Sequence, residues 1–353
     1  MDYYDYGLSM GLAEHGCQIT FHTCSKTEIR TYKNVKTSLT FGNLWDKPKI
    51  LTGLWLFFGY FRSLMICKKN GCDVVHFHFF NLAWRNYLVL LLANKFFNVR
   101  IVSTIHDVDS FKSSQKTLDS SFGLIDQIIV HNEFSKRELL SKGVDEIKIH
   151  VIPHGNYLPF VDSISSPPKG ETELLKLLFF GQIKEIKGLD ILLNAMALVK
   201  KQTNNIHLTI AGRPWHYDSS KYENIIQDNK LDDYVTTRFE FIPDEEVEGY
   251  FESTDVVVLP YKRIYQSGVL LLAMSYGRPV LASSLPAFTE IIEESKTGFL
   301  FEPNNPQSLA EKILDIQKNK IRLQAVSNCA TEKLQSEFDW GTIAQKTIIV
   351  YKR

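Results

Sequence analysis

Neither sign of charge is in excess in this sequence: forty Lys and Arg stand against forty Asp and Glu over 353 residues. A dedicated nucleic-acid binder carries a basic surplus, so the balance argues against that class. No stretch of eighteen apolar residues runs without a charge, which argues against a spanning helix. Cysteine is scarce: Cys17, Cys24, Cys67, Cys72 and Cys329 are odd in number and match no zinc spacing. With no secretory leader pattern, they read as reduced thiols of a cytoplasmic protein. Short repeats and low-complexity tracts are also missing. What remains is a folded-protein composition, 44% hydrophobic and 23% charged, at a length suited to two domains.

The apolar residues come in short runs separated by helix-like stretches. Gln18–Thr23, Asp73–His78, Arg100–Ile105, Gln127–His131 and Ile147–Ile152 read as strands, rich in β-branched and aromatic residues. Between them Tyr4–His15, Ile50–Lys69, Trp84–Phe97 and Glu133–Lys142 read as helices. Residues 158–173, rich in Ser and Pro, form a linker. A second series follows, with strands at Lys176–Phe180, His207–Ala211, Thr237–Phe241, Val256–Leu259 and Pro279–Ala282. Asp339 reads as the N-cap of a final helix through Tyr351. Strands alternating with helices imply βαβ units and parallel sheets. The expected architecture is therefore α/β: two doubly wound lobes, 1–165 and 166–338, and a C-terminal helix, 339–353. The first lobe opens directly in helical periodicity, whereas such a sheet ordinarily starts with a strand, so it is expected to lack its first strand.

Charge is unevenly placed. Residues 1–165 carry three more basic than acidic residues, residues 166–353 three fewer, and eight of the ten histidines fall in the first part. The two lobes are thus candidates for different ligands.

Three segments could carry chemistry. In Phe179–Asp190 an apolar strand runs into Gly181, then Lys184 and Lys187, then Gly188 ahead of a helix. Lysines beyond a strand's C-terminal end suit phosphate oxygens, although solvated loop lysines would look the same. In the segment from Tyr265 to Met274, Ser267 and Gly268 stand where a helix begins, and the amides of a first turn can receive an anion. Ser267 would also serve simply as a cap. In Ser103–Asp107, His106 leaves a buried strand beside an aspartate and could meet a sugar hydroxyl or an acceptor proton. His76 and His78 share one side of a strand, but no third ligand has suitable spacing, so no metal site is read here. The segment Leu51–Phe61, with basic residues from Arg62 to Lys69 behind it, suits peripheral membrane docking or packing on the sheet.

Taken together, the Thr-x-His-Asp segment, Val151–Gly155, Phe179–Gly188, Ile210–Gly212, Asp255–Tyr261, Gly277–Val280, Glu290–Ile292 and Thr297–Leu300 carry a resemblance. In order and spacing the sequence resembles glycosyltransferase family 4, the group 1 type, over nearly the whole chain. The resemblance implies a GT-B fold, two Rossmann-like lobes facing across a cleft. It implies a retaining, metal-independent transfer of a hexose from a nucleotide sugar to a glycan or lipid-linked acceptor, in surface polysaccharide biosynthesis. No cofactor is implied; the nucleotide-diphosphate sugar is substrate. The expected location is cytoplasmic, at the inner face of the membrane.

Carried over by position, Lys184 and Lys187 match residues that neutralise the donor diphosphate, with Gly181 at the turn before them. Ser267, Gly268 and Val269 match the loop whose amides hold the same phosphates. His106 matches a cleft histidine near the transferred sugar, and Gly212 and Arg213 fall where the nucleotide base lies. The two glutamates the family carries before its Ala-Met pair are replaced by Ile264 and Leu272, with Gln266 or Glu290 as possible substitutes. The rival readings are a non-catalytic glycosyltransferase-like binding subunit and an epimerase or phosphorylase of the same fold.

Overall fold

The computed structural model describes residues 3–27, 29–44, 48–79, 84–97, 99–108, 120–161 and 173–353. It divides into two compact units: residues 1–155 with 338–353, and residues 156–337. Most of the Ser/Pro-rich linker expected at 158–173 lies outside the described residues.

In the first unit the order is α1 (Tyr3–Glu14), β1 (Ile19–Cys24), β2 (Val35–Gly42), α2 (Lys49–Lys69), β3 (Val74–Phe79), α3 (Trp84–Leu92), β4 (Arg100–Ile105), β5 (Gln127–Val130), α4 (Glu133–Ser141) and β6 (Ile149–Val151). All ladders are parallel, and β3-β4-β5-β6 form one sheet. β1 pairs with β2 alone, as a separate ribbon, so among the described residues no strand joins β1 to β3. The strand β2 was not foreseen, because Lys36, Thr37, Ser38 and Thr40 give it a mixed, partly polar face.

The last helix of the chain, α12 (Trp340–Tyr351), belongs to this first unit and is not a separate appendage. Asp339 caps it, its carboxylate accepting from the Thr342 N–H at 2.9 Å. Trp340 is the reason for the placement. Its indole is seated on glycines, and a Cβ at Gly7 or Gly155 would overlap the ring. Trp340, Ile343 and Ala344 share a core with Leu8, Leu12, Val102, Ile129 and Ile152.

The second unit holds one six-stranded parallel sheet. Its elements are β7 (Leu175–Phe180), α5 (Leu189–Val199), β8 (Ile206–Ala211), α6 (Ser220–Asp228), β9 (Val235–Arg238), α7 (Asp244–Glu252), β10 (Val256–Leu259), α8 (Gly268–Ser275), β11 (Val280–Ser283), α9 (Pro286–Thr289), β12 (Phe299–Phe301), α10 (Pro306–Lys318) and α11 (Arg322–Glu337). The spatial order β12-β11-β10-β7-β8-β9 reverses between β10 and β7, so the loops after those two strands diverge and leave a crevice. Apart from the polar edge strand β9, the strands are mainly apolar and buried, as a sheet covered on both faces requires. β9 starts earlier than the expected Thr237–Phe241 and ends at Arg238, whose guanidinium is drawn to Glu246 and Tyr250 of α7.

Candidate functional site

At the reversal point β7 ends in Gly181, whose φ of 95° lies in the left-handed region that glycine adopts without strain. The loops after β7 and β8 are zipped together. Ile183 N–H donates to the Arg213 carbonyl (3.0 Å), and Trp215 N–H donates to the Ile183 carbonyl (2.8 Å). Gly212 approaches so closely that a Cβ there would overlap the carbonyl oxygen of Gly181. A short turn, Glu185–Lys187, leads to Gly188 at the start of α5. Lys262 N–H donates to the Ile186 carbonyl at 2.8 Å, which fastens this turn to the chain leaving β10.

These connections bring two lysines to the mouth of the crevice. Lys184 Nζ lies 4.7 Å from the centre of the Trp215 ring, and Lys187 Nζ lies 5.3 Å from that of Tyr261. Both lysines are half-buried, and among the described residues neither has a carboxylate ion-pair partner. Asp190, in the first turn of α5, is engaged elsewhere: it accepts from Lys262 Nζ at 2.8 Å, with Lys221 Nζ at 3.5 Å. Burial raises the Asp190 carboxyl, but the Lys262 hydrogen bond and the charges of Lys262 and Lys221 outweigh it and hold it below the usual carboxylate range. The two crevice ammonium groups are thus not matched by a carboxylate among the described residues.

The opposite wall is the N-terminus of α8. Ser267 caps it, its hydroxyl accepting from the Leu270 N–H at 3.2 Å, which leaves the Gly268 and Val269 N–H groups outside the helical ladder. No acidic residue occupies the first turn. A Cβ built on Gly181 would stand 3.4 Å from Val269 Cγ2 and 3.5 Å from Lys187 Nζ, so the glycine turn, the ammonium and the helix terminus enclose one space. Tyr157 closes on it as well, since a Cβ on Gly268 would lie 2.8 Å from its hydroxyl. Gln266 Nε2 and the Tyr261 hydroxyl are buried without a hydrogen-bond partner among the described residues. Amide donors, hydroxyls and two cations around a glycine turn match the needs of an anion with several acceptor oxygens.

Gly181, Lys184, Lys187, Gly212, Arg213, Ser267, Gly268 and Val269 are therefore gathered at one end of one sheet. Gln266, named above as a possible substitute for the missing glutamates, joins them, as do Trp215, Tyr261 and Tyr157, which the sequence did not single out as site residues. Their signal was faint: single aromatic or amide residues beside the motifs. Leu272 is buried within α8 and offers no oxygen, Ile264 is half-buried, and Glu290 is exposed at the end of α9.

His106 lies elsewhere, in the first unit. There the C-terminal ends of β3 to β6 present His78, His106, His131 and His154 around Tyr4, whose ring meets theirs at 4.8–5.3 Å between centres. The hydrogen bonds set the tautomers. His131 Nδ1 donates to the Ile152 carbonyl (3.1 Å), so its Nε2 accepts from His106 Nδ1 (3.0 Å). His106 Nε2 is then the unprotonated nitrogen of a neutral ring. Burial, reinforced by neighbouring imidazoles, pushes His106 and His76 well below the ordinary histidine value. Burial likewise takes His131 to about 3 and His154 to about 4. His76 uses both ring nitrogens on Tyr351 and Thr104 hydroxyls, each at 2.8 Å. Asp5 pairs with His78. Tyr4 also is affected, its phenol raised by burial. The His76, His106, His131 and His154 rings are thus a neutral assembly that can accept protons at defined atoms.

Comparison with known proteins adds an independent line. Residues 4–156 match the family described as Glycosyltransferase Family 4, and residues 175–319 match Glycosyl transferases group 1. A GDP-mannose:glycolipid 4-beta-D-mannosyltransferase of Xanthomonas campestris pv. campestris is 30% identical over 308 residues, 81% of each chain. Among solved structures, the sucrose-phosphate synthase of Thermosynechococcus elongatus superimposes with a TM-score of 0.76 at 22% identity, covering 99% of this chain and 92% of that one. HepE of Anabaena, solved in complex with UDP, gives 0.70 at 19% identity, covering 90% and 86%. These likenesses show the GT-B fold.

Proposed function

This chain belongs to the group 1, family 4 glycosyltransferases, and on that premise we propose that it moves a sugar from a nucleoside diphosphate donor, with retention, onto a glycan or lipid-linked acceptor. The observation that carries the reading is the pairing of Lys187 with the open terminus of α8 across Gly181. When the bond from the anomeric carbon to the diphosphate breaks, negative charge grows on the leaving oxygens. Lys184, Lys187 and the Gly268 and Val269 amides meet that charge without reorganising. The acceptor oxygen forms the new bond on the face the diphosphate leaves, and its proton passes to a diphosphate oxygen, so no enzyme nucleophile is required. Arg213, Gly212 and the exposed Trp215 are assigned to the nucleoside, and His106 Nε2 to a sugar hydroxyl. With two ammonium groups in place, the reaction needs no divalent ion, and EDTA should leave the rate unchanged.

The acceptor side suits a membrane surface. On α2, Leu54, Phe58, Phe61 and Met65 follow at helical spacing and are 57, 63, 41 and 49% exposed, with Arg62 and Lys69 exposed beside them. An apolar stripe bordered by basic residues favours the interface of anionic lipid. No helix among the described residues is long and apolar enough to cross a membrane. We assign this reaction to surface polysaccharide or glycolipid assembly, at the inner face of the membrane.

Leu272 and the divided sheet of the first unit favour a second reading, a glycosyltransferase-like subunit that binds without turnover. Titration with a panel of nucleotide sugars separates the two, followed by transfer assays on wild type and Lys187→Ala. Binding that depends on the diphosphate, with turnover lost about 10²–10³-fold in the variant, supports transfer. Absence of nucleotide-sugar binding by the wild-type protein supports the subunit.

A further inference from the structure

Two of the five cysteines meet where α2 ends. The Asn70 N–H donates to the Ile66 carbonyl (3.0 Å), the Gly71 N–H to the Lys68 carbonyl (3.2 Å) and the Cys72 N–H to the Cys67 carbonyl (3.1 Å). Gly71, at a φ of 64°, makes the left-handed step that lets the last two bonds form together. A helix end of this kind sets the two residues joined by its outermost bond side by side, and apolar side chains usually fill both places. Here both hold cysteine. Cys67 is 6% exposed, whereas Cys72 is half-buried between the exposed Gly71 and Asp73, and both are free thiols. Burial, together with the neighbouring Cys72 thiol that hydrogen-bonds to it, pushes the Cys67 thiol up to about 12. Among the described residues no group of three or more His, Cys, Asp or Glu could hold a metal ion, so the pair is not part of a metal site there.

We propose that Cys67 and Cys72 form a thiol-oxidation site, which a peroxide converts to a disulfide across the C-terminal end of α2 and a dithiol reopens. A disulfide spans Cα atoms roughly 4.4–6.8 Å apart, a separation that residues closed by the outermost bond of such a helix end meet without backbone movement. Exposure sets the order of events. The Cys72 thiolate attacks a peroxide oxygen: an S–O bond forms, the O–O bond breaks, and the departing hydroxide takes up the proton that Cys72 released. Cys67 then attacks the sulfur of the resulting sulfenic acid. The S–S bond forms, the S–O bond breaks, and the second hydroxide carries off the Cys67 proton as water. Two thiols are oxidised by two electrons and one peroxide is reduced to two waters. The Cys72 negative charge that opposes ionisation of Cys67 is gone once Cys72 is a sulfenic acid. The bridge ties the last turn of α2, with Lys68 and Lys69, to the lead into β3. This chemistry needs neither donor nor acceptor and is independent of the transfer reaction.

The test treats the full chain with hydrogen peroxide, alkylates the remaining thiols, denatures the protein and digests it with trypsin. Cleavage at Lys68 and Lys69 separates the two cysteines, so a bridge is read by mass as two joined peptides, lighter than their sum by two hydrogens. The joined peptides are expected from wild type, with Cys24 and Cys329 still alkylated, and should vanish after dithiothreitol. Oxidation should raise the thermal midpoint by about 4 °C, reversibly. Exchange of the Asn70, Gly71 and Cys72 amides should slow by about threefold or more. In Cys67→Ser, Cys72 should stop at the sulfenic acid and be captured by dimedone, and in Cys72→Ser, Cys67 should stay reduced. Oxidation of wild-type Cys72 without joined peptides overturns the proposal. So does a bridge from Cys72 to Cys17, which lines the same cavity, or one between two copies that grows with protein concentration.

Discussion

Lys187 and Gly181 are in register across the turn after β7: a single methyl on the glycine would lie 3.5 Å from the lysine ammonium. Gly181→Ala would put that methyl where the diphosphate is proposed to sit and would impose a φ of 95° on an L-residue. The variant should lose about 1–2 kcal/mol of stability and bind nucleoside diphosphate at least tenfold more weakly. Denaturant unfolding and calorimetric titration measure the two effects separately. Wild-type affinity in a folded variant would place the diphosphate elsewhere.

Leu272 makes a prediction about the sugar of the nucleotide. A carboxylate gripping ribose hydroxyls contributes on the order of 1.5–3 kcal/mol, and a buried leucine contributes none of it. Ribo- and 2′-deoxyribonucleoside diphosphates should therefore bind within about threefold of each other, well short of the preference a carboxylate would confer. A ratio above tenfold would show that Gln266, Glu290 or another group does the gripping.

The imidazole cluster predicts acid lability. His131 and His154 fall to about 3 and 4 when folded, from about 6.5 in an unfolded chain. The unfolded state therefore binds more protons between those values, and stability falls as pH drops below about 6.5. Each such histidine costs roughly 2 kcal/mol at pH 5 relative to neutral pH. Unfolding curves at pH 7.5 and 5.0 should show the loss in the first unit, and His131→Gln should lessen it. A flat profile would mean that the rings are already solvated.

Asp255 predicts stability rather than turnover. It is 2% exposed, accepts from the Lys176 N–H at 2.8 Å, and lies 3.2 Å from the Lys320 ammonium, with Arg278 buried nearby. Removing one member of a buried pair leaves the others uncompensated, so Asp255→Ala should cost about 3–5 kcal/mol. Lys320→Met strands the Asp255 carboxylate and also loses the bond to the Leu174 carbonyl, so it should cost at least as much. A loss under about 1 kcal/mol in either variant, measured by denaturant unfolding, would show that the pair does not hold the fold.

Strands such as Arg100–Ile105 and Val256–Leu259 were legible because continuous β-branched runs admit few other conformations. β2 was not, since its polar residues blur the pattern, and neither was β12, which is three residues long. The lysines and the α8 cap could be located by their offset from strands and glycines. Trp215 and Tyr261 could not, because each meets its lysine only after separate loops are joined by hydrogen bonds such as Trp215 to Ile183. The reach of α12 back to Gly7 and Gly155 was equally hidden, as no local periodicity tells a helix which distant glycines will seat it.

That reach has a consequence for biosynthesis. Trp340 is made long after Leu8 but completes the core begun there, and about 180 residues of the second unit emerge between Gly155 and Phe338. At roughly 5–20 residues per second, the nascent first unit waits on the order of 10–40 s with its indole seat vacant. The second unit is thus free to fold before the first does, and a ribosome stalled ahead of Trp340 would leave Gly7 and Gly155 exposed to chaperones.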